Sequence, residues 1–189
     1  NPHDMDPVTY CGGDYREERD LEQVHLVIGF DGIAHNDPDY YPLAVLSTLL
    51  GGGMSSRLFQ EARENRGLVY NIYSFASSYE DGGLFGIYAG TSGTDIIDLL
   101  PVICNEVKSV SASVQEDEVA RARAQLKSST LMALESTSAR CEQAARQLQI
   151  YDRAIPNGEV IEKIEAVDTK AVLNAANRIF TSFPTIAAI

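Results

Sequence analysis

The sequence predicts an α+β fold: a mostly antiparallel sheet with helices packed on one face, in the order β-α-α-β-β-α-α-α-α-β. Three observations carry this expectation. Residues 21–30, LEQVHLVIGF, place Val24, Leu26, Ile28 and Phe30 on one side at period two, as a half-buried strand does. Two more strand-like runs, 69–79 and 84–91, flank EDGG (80–83), a short glycine-containing link of hairpin type. The closing run 184–189 is again apolar and strand-like, so strands bracket a long helical stretch, a pattern that favours antiparallel pairing with the helices on one face.

The elements follow in order. After the first strand, NDPDYYPLAVLSTLLGGG supplies a helix with Asp37 as N-cap and Pro38 at its first position, ended by Gly51 to Gly53. A short helix fits 54–65, and the hairpin follows. Residues 94–111 carry Ile97, Leu100, Cys104, Val107 and Val110 at helical spacing, with Pro101 set to kink or restart the helix. Ser113 and Glu116 form a capping-box pattern opening a helix to about Leu134. STS (136–138) is a break, helices fit 139–152 and 168–181, and a short one near 158–165 follows the turn IPNGE. No internal repeat or low-complexity segment interrupts the chain. It reads as a single domain over 1–189, long enough to bury a core without staples.

Composition narrows the function. A formal net charge of −12 argues against nucleic acid, whose binding draws on clustered Lys and Arg. RARAQLK (121–127), the densest basic run, fits an ordinary solvated helix face. No apolar run approaches the roughly 18 residues of a membrane span, and the opening NPHDMDPVTY has neither a basic nor an apolar signal region. Cys11, Cys104 and Cys141, odd in number and without C-x-x-C spacing, suit a reducing compartment and are expected as buried packing residues. The start at Asn1 and the apolar end FPTIAAI suggest a piece of something longer, with flanking protein on at least the N-terminal side.

No complete active site is visible. The three histidines are His3 near the N-terminus, His25 in the first strand and His35 in a loop, and none begins a His-x-x-Glu-His or His-Glu-x-x-His pair. HNDPD (35–39) is more simply an Asn- and Asp-rich helix start than a metal site. His25 is expected as a hydrogen-bonded strand residue, and a zinc site built on His25 and His35 is the weakest alternative. No phosphate loop is present, since GGGMSS follows a helix and not a strand.

One stretch is far more specific. LLGGGMSSRLFQEARENRGLVYNIYSFASSYEDGGLFGIYAGT (49–91), with its triple glycine, SSRLFQEAREN, RGLVY and DGGLFGIYAGT, resembles the C-terminal-half signature of the pitrilysin and insulinase family of zinc metallopeptidases. The resemblance is to the branch containing mitochondrial processing peptidase and its bacterial relatives, and it extends upstream through DLEQVHLVIGF and downstream through ARAQLKSSTLMALES. It implies a division of labour in which zinc is bound by an inverted His-x-x-Glu-His helix of the N-terminal half. The C-terminal half closes over the peptide and contributes an arginine and a tyrosine. Those positions match Arg63 and Tyr70; Asn65 stands where a lysine is frequent.

The chemistry of the pair is separately reasonable. Peptide hydrolysis passes through a tetrahedral oxyanion that a pre-aimed phenol can stabilise by about 3 kcal/mol in a dry site, and a guanidinium can hold substrate backbone carbonyls. From spacing alone, Arg63 pairing with Glu61 or Glu64 and Tyr70 as an amphipathic strand residue like Tyr73 remain open readings. The expectation is therefore a substrate-binding half, inactive by itself, with Tyr70 catalytic and Arg63 and Tyr70 binding peptide. No metal is expected in this chain, and zinc belongs to the missing half on the same chain or a partner subunit. A homo- or heterodimer and a location in a bacterial cytoplasm or the mitochondrial matrix go with it. The alternative is a non-catalytic subunit or structural core protein of the same family.

Overall fold

The computed structural model describes residues 8–189, so His3 lies outside the described residues. A five-stranded sheet of order β1-β5-β2-β4-β3 is built from β1 (Gly13–Arg16), β2 (Val24–Asp31), β3 (Asn71–Ser78), β4 (Gly83–Thr91) and β5 (Thr185–Ala188). Six α-helices accompany it: α1 (Tyr40–Gly51), α2 (Ile96–Ala112), α3 (Glu116–Ala133), α4 (Thr137–Tyr151), α5 (Asn157–Glu165) and α6 (Thr169–Phe180). A π-helix spans Phe59–Asn65. Mixed α and β structure with helices on one sheet face is as the sequence predicts, although five helices, α2 to α6, lie between β4 and β5 where the predicted order counts four. The sheet is mixed, however: β2–β4, β2–β5 and β3–β4 are antiparallel, whereas β1 pairs parallel to β5. Sequence reading misses β1 because GDYR is four residues, all exposed, with two charges that pair with each other.

The sheet has two unlike faces. Leu26, Ile28 and Phe30 of β2 and Phe85, Ile87 and Ala89 of β4 turn inward against α1, α2 and α6, with Leu46, Leu50, Leu99, Ile103, Val172 and Ile179 as their buried counterparts. Phe180 closes this core edge-on to Phe30 and Phe85, at centroid distances of 5.0 and 5.5 Å. His25, Tyr88, Tyr73 and Phe75 lie on the opposite face, which no helix covers among the described residues.

Several boundaries differ for physical reasons. The first helix begins at Tyr40, two residues late, because Asp37 does not cap it. The Asp37 Oδ1 accepts from the Asp39 amide (2.8 Å), and its carboxylate is engaged by Arg178 of α6 (2.7 Å). The capping box of α3 is formed by Gln115 and Glu118 rather than by Ser113 and Glu116, Ser113 being spent as the C-cap of α2. Pro101 neither breaks nor restarts α2, which runs through it with the proline on the exposed side. The buried stripe of α2 is Leu99, Val102, Ile103 and Val110, so the expected face is out of phase by part of a turn; Leu100 and Val107 flank the stripe, while Ile97 and Cys104 are exposed.

The cysteine expectation is likewise overturned. Cys11, Cys104 and Cys141 are all exposed free thiols. Cys11 precedes the edge strand β1, Cys104 lies on the outer side of α2, and Cys141 belongs to α4, none of whose residues is buried. RARAQLK is more than a solvated face: Arg123 donates to the carbonyls of Glu165 and Val167 at the end of α5, and Lys127 pairs with Glu165.

Candidate functional site

The segment from α1 to β3 is tied down at several points before it reaches the two predicted residues. Gly51 ends α1 so close to β3 that a Cβ there would meet the Ser74 amide. Gln125 of α3 donates to the Gly52 carbonyl (2.6 Å). Arg57 then docks on α3: its Nε and Nη2 donate to the two carboxylate oxygens of Glu118 at 2.7 and 2.6 Å, and Nη2 also donates to the Ser113 carbonyl at 3.0 Å. That bidentate contact holds the Glu118 carboxyl below the ordinary carboxylate range.

Beyond Arg57 the chain winds into the π-helix, a geometry rare in proteins and frequent at functional sites. Leu58 and Ala62 are fully buried four residues apart; Phe59 and Arg63, offset by one, form the next row, with Arg63 exposed. The Arg63 guanidinium carbon stands 5.1 Å from the Phe59 ring centroid, within cation–π range. Gly67 then adopts φ +64°, a left-handed conformation that a Cβ disfavours, and reverses the chain toward the sheet.

The structure brings the two predicted residues together: Arg63 Nη1 donates to the Tyr70 carbonyl at 2.7 Å. Tyr70 is 64% exposed, and its hydroxyl meets no partner among the described residues. Pairing of Arg63 with Glu61 or Glu64 does not occur. Glu61 is taken by Asn65 and Arg66, whose hydrogen bonds keep its carboxyl below the usual range.

The exposure of Tyr70 has a backbone cause. Its N–H donates to the Gly90 carbonyl (2.9 Å), yet Gly90 is the register partner of Asn71. Two residues thus address one, the arrangement of a β-bulge, a device that re-aims side chains and is common beside active sites. Burial records the result: Val69 and Ile72 are buried, and the consecutive Tyr70 and Asn71 between them are both exposed. Without the extra residue, alternation would place Tyr70 on the same side as Ile72, against the helices.

On the uncovered face an aromatic row continues from this point. Tyr73 stacks on Tyr88 (centroids 5.0 Å apart, planes 30° apart), and the Tyr88 hydroxyl is 2.7 Å from His25 Nδ1, so His25 is the hydrogen-bonded strand residue expected. Phe75 lies 6.2 Å from Tyr73 and over Gly86, where any Cβ would strike its ring. Phe59, which stacks on Arg63, and the Tyr73–Tyr88 pair were not singled out from the sequence. The i, i+4 spacing of Phe59 and Arg63 and the period-two run Asn71, Tyr73, Phe75 were the available signals.

Two clefts elsewhere, of about 530 and 1040 Å³, flank His35 and Tyr40 and contain neither Arg63 nor Tyr70. In the smaller, Arg153 and Lys163 are already paired with Glu159, whose carboxyl they depress to about 2. Burial and the nearby Arg146 push His35 below its ordinary pKa. HNDPD is accounted for by Asp37 and Asp39, both held by Arg178. Among the described residues no three His, Cys, Asp or Glu side chains gather where they could hold a metal ion. No helix among them is long and apolar enough to cross a membrane.

Comparison with known proteins agrees on the fold and on the relatives. A family described as the peptidase M16 inactive domain matches residues 1–126. An uncharacterized zinc protease of Rickettsia felis is 38% identical over 184 residues, which are 97% of this chain and 45% of that protein. The beta subunit of the mitochondrial-processing peptidase of Homo sapiens is 33% identical over 196 residues, covering 98% of this chain and 40% of its own. A chain of complex III2 from Candida albicans with Inz-5 bound superposes with a TM-score of 0.89 at 22% identity, over 98% of this chain and 47% of the other. A conserved protein from Enterococcus faecalis V583 does so at 0.81 and 24%, over 97% and 43%. The two structures speak for the fold alone. This chain spans less than half the length of these relatives.

Proposed function

Because the chain belongs to the peptidase M16 family, in the part described as that family's inactive domain, we propose that it is the substrate-binding half of a zinc-dependent processing endopeptidase. It acts as one unit with a zinc-bearing half, carried on the same polypeptide or on a partner subunit. Relatives named zinc proteases and processing-peptidase subunits support this reading, as does the half-length match. A location in a bacterial cytoplasm or a mitochondrial matrix belongs to the same reading, supported by its bacterial and mitochondrial-processing relatives.

The observation that carries the proposal is the exposed Arg63–Tyr70 pair, locked at 2.7 Å through the Tyr70 carbonyl. Only one of the five guanidinium N–H donors is needed for that bond, so the others are free to hold carbonyls of an extended peptide. The cation–π contact with Phe59 and the bond to Tyr70 restrict the side chain beforehand, which lowers the ordering cost of binding. Tyr70, fixed by its bulge and with its hydroxyl unspent, donates to the oxyanion that forms as the scissile carbonyl becomes tetrahedral. Zinc chemistry is assigned to the other half, and no step on these residues requires a metal.

The test is a pair of substitutions in the protein joined to its zinc-bearing half. Tyr70→Phe lowers kcat by about 10²–10³ with little change in KM, since one oxyanion donor is lost. Arg63→Ala raises KM with a smaller change in kcat. Unchanged turnover in Tyr70→Phe would remove the phenol from the mechanism, whereas absence of turnover in the parent assembly itself would favour a non-catalytic subunit of the same family.

A further inference from the structure

The geometry points to a side-chain subsite on the uncovered sheet face: the Tyr73–Tyr88 pair accepts an aromatic or large apolar residue of a peptide lying along the outer edge of β3. This rests on the functional reading above and names the class of peptide that the Arg63–Tyr70 pair would hold.

Four observations converge on it. β3 ends the sheet, pairing with β4 alone, so its outer backbone groups have no strand partner among the described residues. Sheet edges are usually guarded by charge or proline, yet NIYSFASS has neither. The bulge turns Tyr70 to the same side as Asn71, and alternation then places Tyr73 and Phe75 on that side too, so one face runs unbroken from the Arg63–Tyr70 pair to the aromatic row. The row is also built: Tyr88 is clamped from behind by His25 at 2.7 Å, Tyr73 lies nearly parallel to it while 40% exposed, and Gly86 leaves room for Phe75 beside them.

A peptide is favoured over the other ligands that stack on aromatic rows. Single-stranded nucleic acid needs a basic groove along its backbone, whereas this chain carries a net charge of −12. An added strand takes its affinity from main-chain bonds and its specificity from contacts to alternate side chains, and β3 offers an edge without a strand partner among the described residues beside the exposed Tyr73 ring. At about 3.3 Å per residue, Tyr73 lies about 7–10 Å along β3 from Tyr70. The preferred aromatic residue is therefore two or three positions from the carbonyl engaged at Tyr70. His25 acts here as a positioning residue, through Tyr88.

These 189 residues hold no tryptophan, so fluorescence of a Trp-containing peptide reports binding to this chain without background from its own residues. The probes are neutral decapeptides with a single Trp stepped along the sequence, and the same peptides with Ser in its place as competitors. One or two Trp positions bind tightest. Tyr73→Ser weakens those peptides roughly five- to tenfold and leaves the Ser peptides unchanged, while Tyr73→Phe retains the preference. Equal weakening of Trp and Ser peptides by Tyr73→Ser, or no preference among Trp positions, overturns the subsite. Arg63→Ala tests the underlying reading separately, because loss of a backbone clamp weakens both peptide sets alike. An Arg63→Ala variant that binds both sets as the parent does overturns that reading, whatever Tyr73 does.

Discussion

Replacing Arg57 with Met probes what anchors the site. Arg57 precedes the π-helix by one buried residue, Leu58, and reaches across 61 positions to Glu118. Its two donors meet the carboxylate at 2.7 and 2.6 Å, and the side chains are only 14% and 18% exposed. A surface pair contributes about 0–1 kcal/mol, too little for groups so far withdrawn from water. Breaking a fully buried pair costs about 3–5 kcal/mol, too much for groups still in partial contact with it. Glu118 also keeps the Gln115 amide (3.0 Å) when Arg57 is gone. A loss of about 2–3 kcal/mol follows, and at about 2–4 °C per kcal/mol for a chain of this size Tm falls roughly 5–10 °C.

The same pair sets a pH dependence whose sign is fixed. Hydrogen bonds from Arg57 depress the Glu118 carboxyl in the folded state. Its contribution is therefore complete above the unfolded value of about 4.3 and fades as pH falls through the lower folded value. Thermal melts followed by circular dichroism should show the full gap between parent and Arg57→Met at pH 7 and a narrower gap near pH 3. A Tm change under 1 °C at pH 7, or a gap that persists unchanged in acid, would refute the assignment of this contact as the anchor.

Other outcomes follow from the same geometry. Gly51→Ala pushes a Cβ into the Ser74 amide and so forces α1 off β3, at a cost of about 1–3 kcal/mol, whereas Gly82→Ala, with open space around it, stays within about 0.5 kcal/mol; chemical denaturation of the two variants side by side measures the contrast. Gly67→Ala places a side chain at φ +64°, and should cost about 1 kcal/mol and weaken peptide binding through Arg63; equal stability and binding would mean that the turn relaxes freely. All three cysteines should react with a thiol reagent in the native protein, and protection of any one until denaturation would contradict its exposure.

What was legible in the sequence was whatever repeats locally. Period-two alternation marked β2 and the β3–β4 hairpin, and helical spacing marked the helices, since both signals lie within a few residues. The misses depend on partners far along the chain. Asp37 loses its capping role to Arg178, 141 positions away, and the capping box of α3 moves two residues while its Glu118 is also engaged by Arg57. The phase of α2 is hidden for a related reason: its apolar residues surround more than half the helix, and only the packed neighbours choose among stripes. The site divides in the same way. Family resemblance named Arg63 and Tyr70, but regular alternation from Ile72 would have buried Tyr70. The break was readable in Val69, Tyr70, Asn71 and Ile72, where two outward positions sit between two inward ones, a local signature of one inserted residue. The π-helix left no such mark, because FQEAREN satisfies an ordinary helical pattern equally well. Helix and bulge act on the two ends of one contact, setting Arg63 and Tyr70 so that a guanidinium meets a carbonyl while the phenol stays free. Removing the bulge by deleting Asn71 should therefore restore alternation, turn Tyr70 toward the helices and abolish its contribution more completely than Tyr70→Phe does.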